Sequence, residues 1–318
     1  MNIAGSKVLV LGGKGFLGRH LSELLLAEGA SVRIFDRARS HPADQESACK
    51  HLEVIQGDFV EGHGLSQALD GVDLVYHLVS STVPSGSNAN PIEDVSSNLI
   101  GTLRLLDMMR YSGVKRIVYA SSGGTVYGNP RSLPVPEAHP LQPISSYGVV
   151  KVAVENYLHL QSELNGLTAN ILRISNPYGM HQNRIGAQGV IATFVRKLMN
   201  NEPIEIWGDG SVVRDYVYAT DVARALVLAG QRSQSGVFNI GSGMGHSINE
   251  VLRLIREQTG LDGEVRYLPH RRFDVQRTYL DIERARVELG WQPRYSLEEG
   301  CARYWHLLLN SARAPALS

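Results

Sequence analysis

Residues 7–36 constrain the chain more than any other stretch. Lys7 to Leu11 is a short β-type run suited to a strand buried on both faces. Gly12, Gly15 and Gly18 follow at G-x-x-G-x-x-G spacing. A helical segment with Leu21, Leu24, Leu25 and Leu26 comes next and closes at Gly29. Ser31 to Asp36 then reads as a second strand ending in an acid. Glycines in such a turn let backbone N–H groups approach a pyrophosphate at the positive end of a helix. An acid about 20 residues further on can bind the adenosine ribose hydroxyls. Asp36 stands at that distance from Gly18, and an aspartate there repels a 2′-phosphate, which favours NAD over NADP. Arg37 beside it argues the other way, because a guanidinium accepts that phosphate.

The rest of the first half repeats the strand–helix alternation. Leu52 to Gln56 is a third strand followed by Asp58 and Phe59, where an acid can meet the adenine amino group. Leu74 to Leu78 is a fourth strand, and His77 reads as a packed core histidine. A loop rich in Ser, Asn and Pro spans 79–93, and loops of that length in a compact domain are often functional. Asp94 to Tyr111 is a long helix in which Asn98 either hydrogen-bonds across the interior or faces solvent. Arg116 to Ala120 and Thr168 to Ile174 are the fifth and sixth strands. Two β-α-β-α-β halves predict an α/β, Rossmann-type doubly wound parallel sheet.

Beyond residue 180 the alternation lapses. A helix from Gly189 to Met199, a strand from Pro203 to Trp207, a helix capped by Thr220, a strand at Val237–Ile240 and a helix capped by Ser247 are expected. From about Asn310 the chain reads as an untethered tail.

Chemistry is expected at Ser145–Lys151. If a helix has begun by Tyr147, Lys151 lies one turn on and on the same face. A phenol is a poor base at neutral pH. A nearby ammonium favours the phenolate, so Tyr-x-x-x-Lys can serve as general base for an alcohol that loses a hydride. Ser121, Ser122 and Thr125 leave the end of the fifth strand, where ligands of open parallel sheets bind.

Composition narrows the partners. A chain of 318 residues has room for one large domain or two closely joined ones. Lys+Arg and Asp+Glu are both 31, so no electrostatic case exists for nucleic acid or an anionic membrane. Cys49 and Cys301 are too few for a disulfide framework, which suits a reducing cytoplasm. No apolar run reaches the length of a membrane span or the pattern of a signal peptide.

With these motifs together the chain resembles the extended short-chain dehydrogenase/reductase family, and within it the nucleotide-sugar epimerases of the UDP-glucose 4-epimerase type. The resemblance covers about Lys7 to Leu308. Its later segments are Asn176-Pro177-Tyr178-Gly179, Gly208-Asp209-Gly210 with Arg214-Asp215-Tyr216-Val217, Arg271-Arg272-Phe273-Asp274-Val275 and Leu289-Gly290-Trp291-x-Pro293. It implies a Rossmann NAD-binding domain (1–176 and about 212–242) and a smaller C-terminal nucleotide-sugar domain (about 177–211 and 243–318). Implied cofactor contacts are Gly12, Gly15, Phe16, Leu17, Gly18, Asp36, Arg37, Asp58, Phe59 and Leu78, joined by Tyr147 and Lys151. Implied substrate contacts are Ser122, Tyr147, Asn176, Gly189, Val190, Arg214, Arg271 and Asp274. The arginines suit a diphosphate, which needs cationic donors in a fixed fork.

One departure from the family pattern stands out. The catalytic hydroxyl usually lies four residues before the tyrosine of Val-Tyr-Gly, and here that position is Gly123. Ser122 is the expected substitute, with Thr125 as the alternative. The acids that family dehydratases and decarboxylases carry just before Val-Tyr-Gly are replaced by Gly124 and Thr125. The resemblance therefore implies NAD-dependent inversion at C4 of a UDP-hexose through a 4-keto intermediate. A 4-keto-sugar reductase and a non-catalytic NAD-binding regulator are the alternatives. It also implies a cytoplasmic homodimer formed through the helices near 94–111 and 148–164.

Overall fold

The computed structural model describes residues 2–37, 51–82, 84–182, 189–270 and 275–313. In chain order the first elements are β1 (Lys7–Leu11), α1 (Phe16–Ala27), β2 (Ser31–Asp36), β3 (Leu52–Gln56), α2 (Leu65–Leu69), β4 (Leu74–His77), α3 (Pro84–Ser87) and α4 (Pro91–Asp94). A π-helical turn (Val95–Ile100) leads into α5 (Gly101–Ser112), followed by β5 (Arg116–Ser122), α6 (Ser146–Asn165), β6 (Thr168–Ile174) and β7 (Asn176–Tyr178). The remainder is α7 (Val190–Met199), β8 (Ile204–Trp207), β9 (Val213–Arg214), β10 (Tyr216–Tyr218), α8 (Ala219–Gln231), β11 (Gly236–Ile240), β12 (His246–Ser247), α9 (Ile248–Thr259), β13 (Val265–Leu268), α10 (Glu283–Leu289) and α11 (Leu297–Arg313).

Seven strands form one sheet in the order β3-β2-β1-β4-β5-β6-β11. The pairs β1–β2, β2–β3, β1–β4 and β4–β5 are parallel. The order runs outward from β1 in both directions, so the carboxyl ends of β1 and β4 flank the point where it reverses, which is where such sheets bind ligands. Val8 to Leu11 are completely buried, as expected of a central strand covered on both faces. Leu21 and Leu25 of α1 are buried too, while Leu24 and Leu26 are not. Leu105, Leu106 and Met109 of α5 and Val154 and Leu158 of α6 pack into one core with Leu9, Val75, Ile117 and Tyr119. His77 is a core histidine, as read from the sequence. Its Nε2 lies 2.9 Å from Thr102 Oγ1 and its ring packs against Phe59 and Tyr119.

Two compact units are present: Met1–Gly128 with Pro140–Arg173 and Ala223–Phe238, and Asn129–His139 with Ile174–Val222 and Asn239–Ser318. The bounds differ from the expected ones at residues 129–139, 174–176, 212–222 and 239–242, all of which group with the second unit. Residues 129–139 group with the second unit because Val135 N–H donates to Tyr279 O and Asn239 N–H donates to the Glu137 carboxylate. Residues 212–222 do so because β10 pairs with β7. The second unit has its own core of Phe194, Val195, Ile206, Val251, Ile255 and Tyr304. Trp291 is fully buried there and donates its indole N–H to Asp221 O.

Several boundaries moved. The 79–93 stretch holds α3 and part of α4 rather than a plain loop. Thr220 is not an N-cap: β10 runs straight into α8, which begins at Ala219. Ser247 is a cap, with a complete capping box to Glu250. The expected tail at Asn310 is the end of α11, which continues to Arg313 because Cys301, Tyr304, Trp305 and Leu308 face the core at helical spacing. Among the described residues no helix is long and apolar enough to cross a membrane.

Candidate active site

The glycine turn is shaped by close approach. Gly12 has φ of +80°, a left-handed conformation that favours glycine, and Gly15 N–H returns to its carbonyl at 3.0 Å. A Cβ on Gly18 would lie 2.3 Å from Gly12 O, so only glycine lets the first turn of α1 cross this close to the end of β1. Gly15 is the N-cap of α1 and carries no capping side chain. The N–H groups of Phe16 and Leu17, in the first helical turn, have no partner within the helix. The Asp36 carboxylate accepts from Lys14 N–H at 2.9 Å and from Arg37 N–H at 2.8 Å. It therefore ties the turn to the end of β2 and still has lone pairs for a diol. A glycine cradle, open helical N–H groups and a fixed acid together fit a dinucleotide.

Other expected contacts divide by how their side chains are used. Asp58 Oδ1 accepts from Val60 and Glu61 N–H. The Phe59 ring is buried against His77 and the backbone of Gly101, which leaves only its main chain to meet a ligand. Leu78 N–H bonds to Leu11 O, fixing the end of β4 beside Gly12.

At the start of α6, Ser145 Oγ accepts from Gly148 N–H and caps the helix, and Gly166 in the left-handed region ends it. The helix places Tyr147 and Lys151 on one face, as expected. The Lys151 ammonium is 5.4 Å from the Tyr147 ring centroid and 4.7 Å from that of Tyr119, and donates to Ala120 O at 2.8 Å. Burial pushes Lys151 down to about 8, opposed by Glu155 and Asp94. The half-buried Tyr147 is pushed up to about 12 by loss of hydration, while the nearby Ser80 hydroxyl pulls it down and Asp94 adds to the rise. Desolvation thus sets the direction of the phenol's shift, and the ammonium donates to a carbonyl rather than to the phenol. Ser122, the last residue of β5, is half-buried. Thr125 Oγ1 is buried without a hydrogen-bond partner, and Thr125 O packs on Gly148, one residue from Tyr147.

In the second unit, β7, β9 and β10 gather the other expected positions. Asn176 donates through both N–H and Nδ2 to Asp215 O. Arg214 Nη1 donates to Val213 O, and the next residue, Asp215, points inward. Buried Asp215 accepts from Ser242 N–H and Oγ, Gly243 N–H and Leu280 N–H. Its pKa is nevertheless raised, because burial outweighs those donors. Gly189, at φ of +90°, precedes α7, and Val190 opens that helix half-buried. Arg271 and Asp274 lie outside the described residues.

Residues 8–241 match the NAD dependent epimerase/dehydratase family. The chain belongs to that family. It is 37% identical over 308 residues to a putative UDP-glucose 4-epimerase of Methanocaldococcus jannaschii, covering 96% of this chain and 99% of the relative. Among solved structures it is similar to the UDP-glucose 4-epimerase of Thermotoga maritima with UDP-glucose, at TM-score 0.90 and 35% identity over 96% of this chain and 99% of the other. The Thermus thermophilus UDP-glucose 4-epimerase complex with NAD gives TM-score 0.87 and 34% identity over 94% and 98%.

Sequence reasoning missed three groups around Tyr147. Ser87 Oγ accepts from Tyr147 N–H, and no spacing rule links a residue after β4 to the start of α6. Asp94 accepts from Ser146 across a gap of 52 residues. Behind Lys151, Glu155 and Arg173 form a buried ion pair at 2.7 Å, joined by Ser121 Oγ and the Tyr127 hydroxyl. Glu155 lies four residues after Lys151, so helical spacing carried a signal for it.

Proposed function

We propose that the protein is an NAD-dependent 4-epimerase of UDP-hexoses, in which Tyr147 exchanges the proton of the sugar 4-hydroxyl. The observation that carries this reading is the Tyr147–Lys151 face of α6 beside the carboxyl end of β5, in the unit that also holds the glycine cradle. Gly12, Gly15, Gly18, Phe16, Leu17 and Asp36 would hold the dinucleotide. NAD held there would supply the hydride acceptor, and afterwards the hydride donor, for C4. Tyr147 takes the proton as C4 is oxidised and gives it back as C4 is reduced. The Lys151 charge favours the phenolate once the proton is to move. Ser122 or the unpartnered Thr125 hydroxyl hydrogen-bonds the reacting oxygen. Asn176 and Arg214, with Arg271, Asp274, Gly189 and Val190, would hold the nucleoside diphosphate.

The epimerase outcome is favoured over elimination or decarboxylation by Gly124 and Thr125, since no acid stands there to act on the keto intermediate. A Tyr147→Phe protein tests the assignment. It should retain the fold and NAD but lose turnover by several orders of magnitude; a near-normal rate removes Tyr147 from the reaction.

The same reading extends to assembly and location. Ile100 and Tyr111 of the α5 side and Val149, Tyr157, Leu160 and Leu164 of α6 are exposed apolar residues, the last four on one helical face. A second copy of the chain is the occupant that fits these two helices. Sedimentation of the wild type as a dimer, and of Leu160→Lys as a monomer, is the expected result. A cytoplasmic location accords with only two cysteines in 318 residues and a nucleotide-activated substrate.

A further inference from the structure

The start of α6 is held by one polar network from the 80–98 segment. Ser80 Oγ donates to Thr82 O at 3.2 Å. Tyr147 N–H donates to Ser87 Oγ at 3.1 Å and Ser146 N–H to Asn88 Oδ1 at 2.8 Å. Ser146 Oγ donates to Asp94 Oδ2 at 2.8 Å. Asp94 is fully buried, and its other oxygen accepts from Thr82 Oγ1 at 2.7 Å and Asn98 Nδ2 at 2.9 Å. Asn98 in turn accepts from Ser81 N–H and donates to Thr82 Oγ1. The π-helical turn at Val95–Ile100 carries Asn98, and such turns are rare and concentrate at functional sites.

The geometry points to Asp94 as a positioning residue for Tyr147: one buried carboxylate ties the segment bearing Ser80 to the residue preceding the tyrosine. A fully buried carboxylate is costly unless its lone pairs are filled, and three hydroxyl or amide donors fill them here. Each donor belongs to a segment that meets the tyrosine. Thr82 follows Ser80 and receives its hydroxyl through the Thr82 carbonyl, Asn98 fixes Ser81, and Ser146 adjoins Tyr147. A shift of this carboxylate would therefore move Tyr147 together with the 80–98 segment that holds its backbone. A misplacement on the order of 1 Å is enough to cost a catalytic group about a hundredfold.

The carboxylate also acts through charge. The charged and titratable groups around Tyr147 and Lys151 are Asp94, the Glu155–Arg173 pair, Tyr119 and His77, which burial holds neutral. Asp94 raises both Tyr147 and Lys151. Its neutralisation lowers both, so both inflexions of the pH–rate profile move to lower pH, whichever group governs each limb.

This inference rests on the Tyr147 reading, and two variants separate them. Asp94→Asn keeps shape and one acceptor oxygen for Thr82 and Asn98, lets its amide donate to Ser146 Oγ instead of accepting from it, and removes the charge. Ser146→Ala keeps the charge but removes the link. Ser146→Ala is expected to lower kcat for UDP-hexose epimerisation about tenfold, with KM and retained NAD within about twofold and the inflexions unmoved. Asp94→Asn is expected to lower kcat and to shift both inflexions down by on the order of half a pH unit. An unchanged kcat in Ser146→Ala overturns the positioning role even if Asp94→Asn does not fold. A folded Asp94→Asn with an unmoved profile overturns it as well. If instead the wild type epimerises and Tyr147→Phe does too, the base assignment has failed, not the network alone.

Discussion

The Lys151 ammonium lies 2.8 Å from the carbonyl oxygen of Ala120, so the helix that carries Tyr147 is pinned by a charged hydrogen bond to the strand that carries Ser122. A buried cation satisfied by one neutral carbonyl is a compromise: it fixes geometry at the expense of solvation. The same lysine is pushed down to about 8 for that reason.

A stability prediction follows directly. Between about pH 8 and pH 10.5 the folded chain holds fewer protons on Lys151 than the unfolded chain, so stability from this group rises across that window and is lowest below it. Lys151→Met should therefore stabilise the fold at pH 7, by on the order of 1–3 kcal/mol after loss of the Ala120 bond, while abolishing turnover. Urea denaturation at pH 7 and pH 10 checks it, with the gain shrinking at the higher pH. A variant less stable than wild type at pH 7 contradicts it.

The Glu155–Arg173 pair should behave oppositely. Arg173→Met leaves Glu155 buried beside Ser121 with its main partner gone, and breaking such a pair costs about 3–5 kcal/mol. The denaturant midpoint should fall accordingly; a loss under about 1 kcal/mol would mean that the Ser121 hydroxyl suffices for Glu155.

Gly18→Ala places a methyl 2.3 Å from Gly12 O and 2.6 Å from Gly13 Cα, both backbone atoms that cannot turn aside. The turn must open. NAD affinity should weaken at least about tenfold, some 1.4 kcal/mol, with a smaller effect on thermal stability than on binding. Calorimetric titration of the stripped protein with NAD decides it, and an unchanged affinity contradicts the cradle.

Arg214→Met should raise KM for the UDP-sugar more than it lowers kcat, because a diphosphate contact is made equally in ground and transition states. Loss of a charge-assisted hydrogen bond of about 1.5–3 kcal/mol corresponds to about tenfold to a hundredfold. A fall in kcat alone would place Arg214 at the reacting end of the substrate instead.

The parts legible in the sequence are those governed by local rules. The β1 turn, α1, β2 and Asp36 follow from periodicity and glycine spacing, and Ser247 from capping chemistry. Tyr147 and Lys151 share a face because one helical turn separates them. What stayed hidden depends on distant contacts: Asp94 with Ser146, Ser87 with the Tyr147 N–H, and the inward turn of Asp215 onto residues 242, 243 and 280. The direction of the Tyr147 shift was hidden for the same reason, since desolvation is set by what the fold packs around a group. Thr220 misled because a good cap residue lies inside a helix that a strand enters without a linker.

The most direct test of the epimerase reading is NMR of the purified protein incubated with UDP-glucose and, separately, with UDP-N-acetylglucosamine, without added cofactor. Growth of the galacto anomeric signal with no net change in NADH absorbance is the predicted result, and it names the sugar. No conversion of either nucleotide sugar, even with NAD added, together with stoichiometric NADH or NADPH oxidation by a 4-keto sugar, would contradict it and assign the chain to reduction.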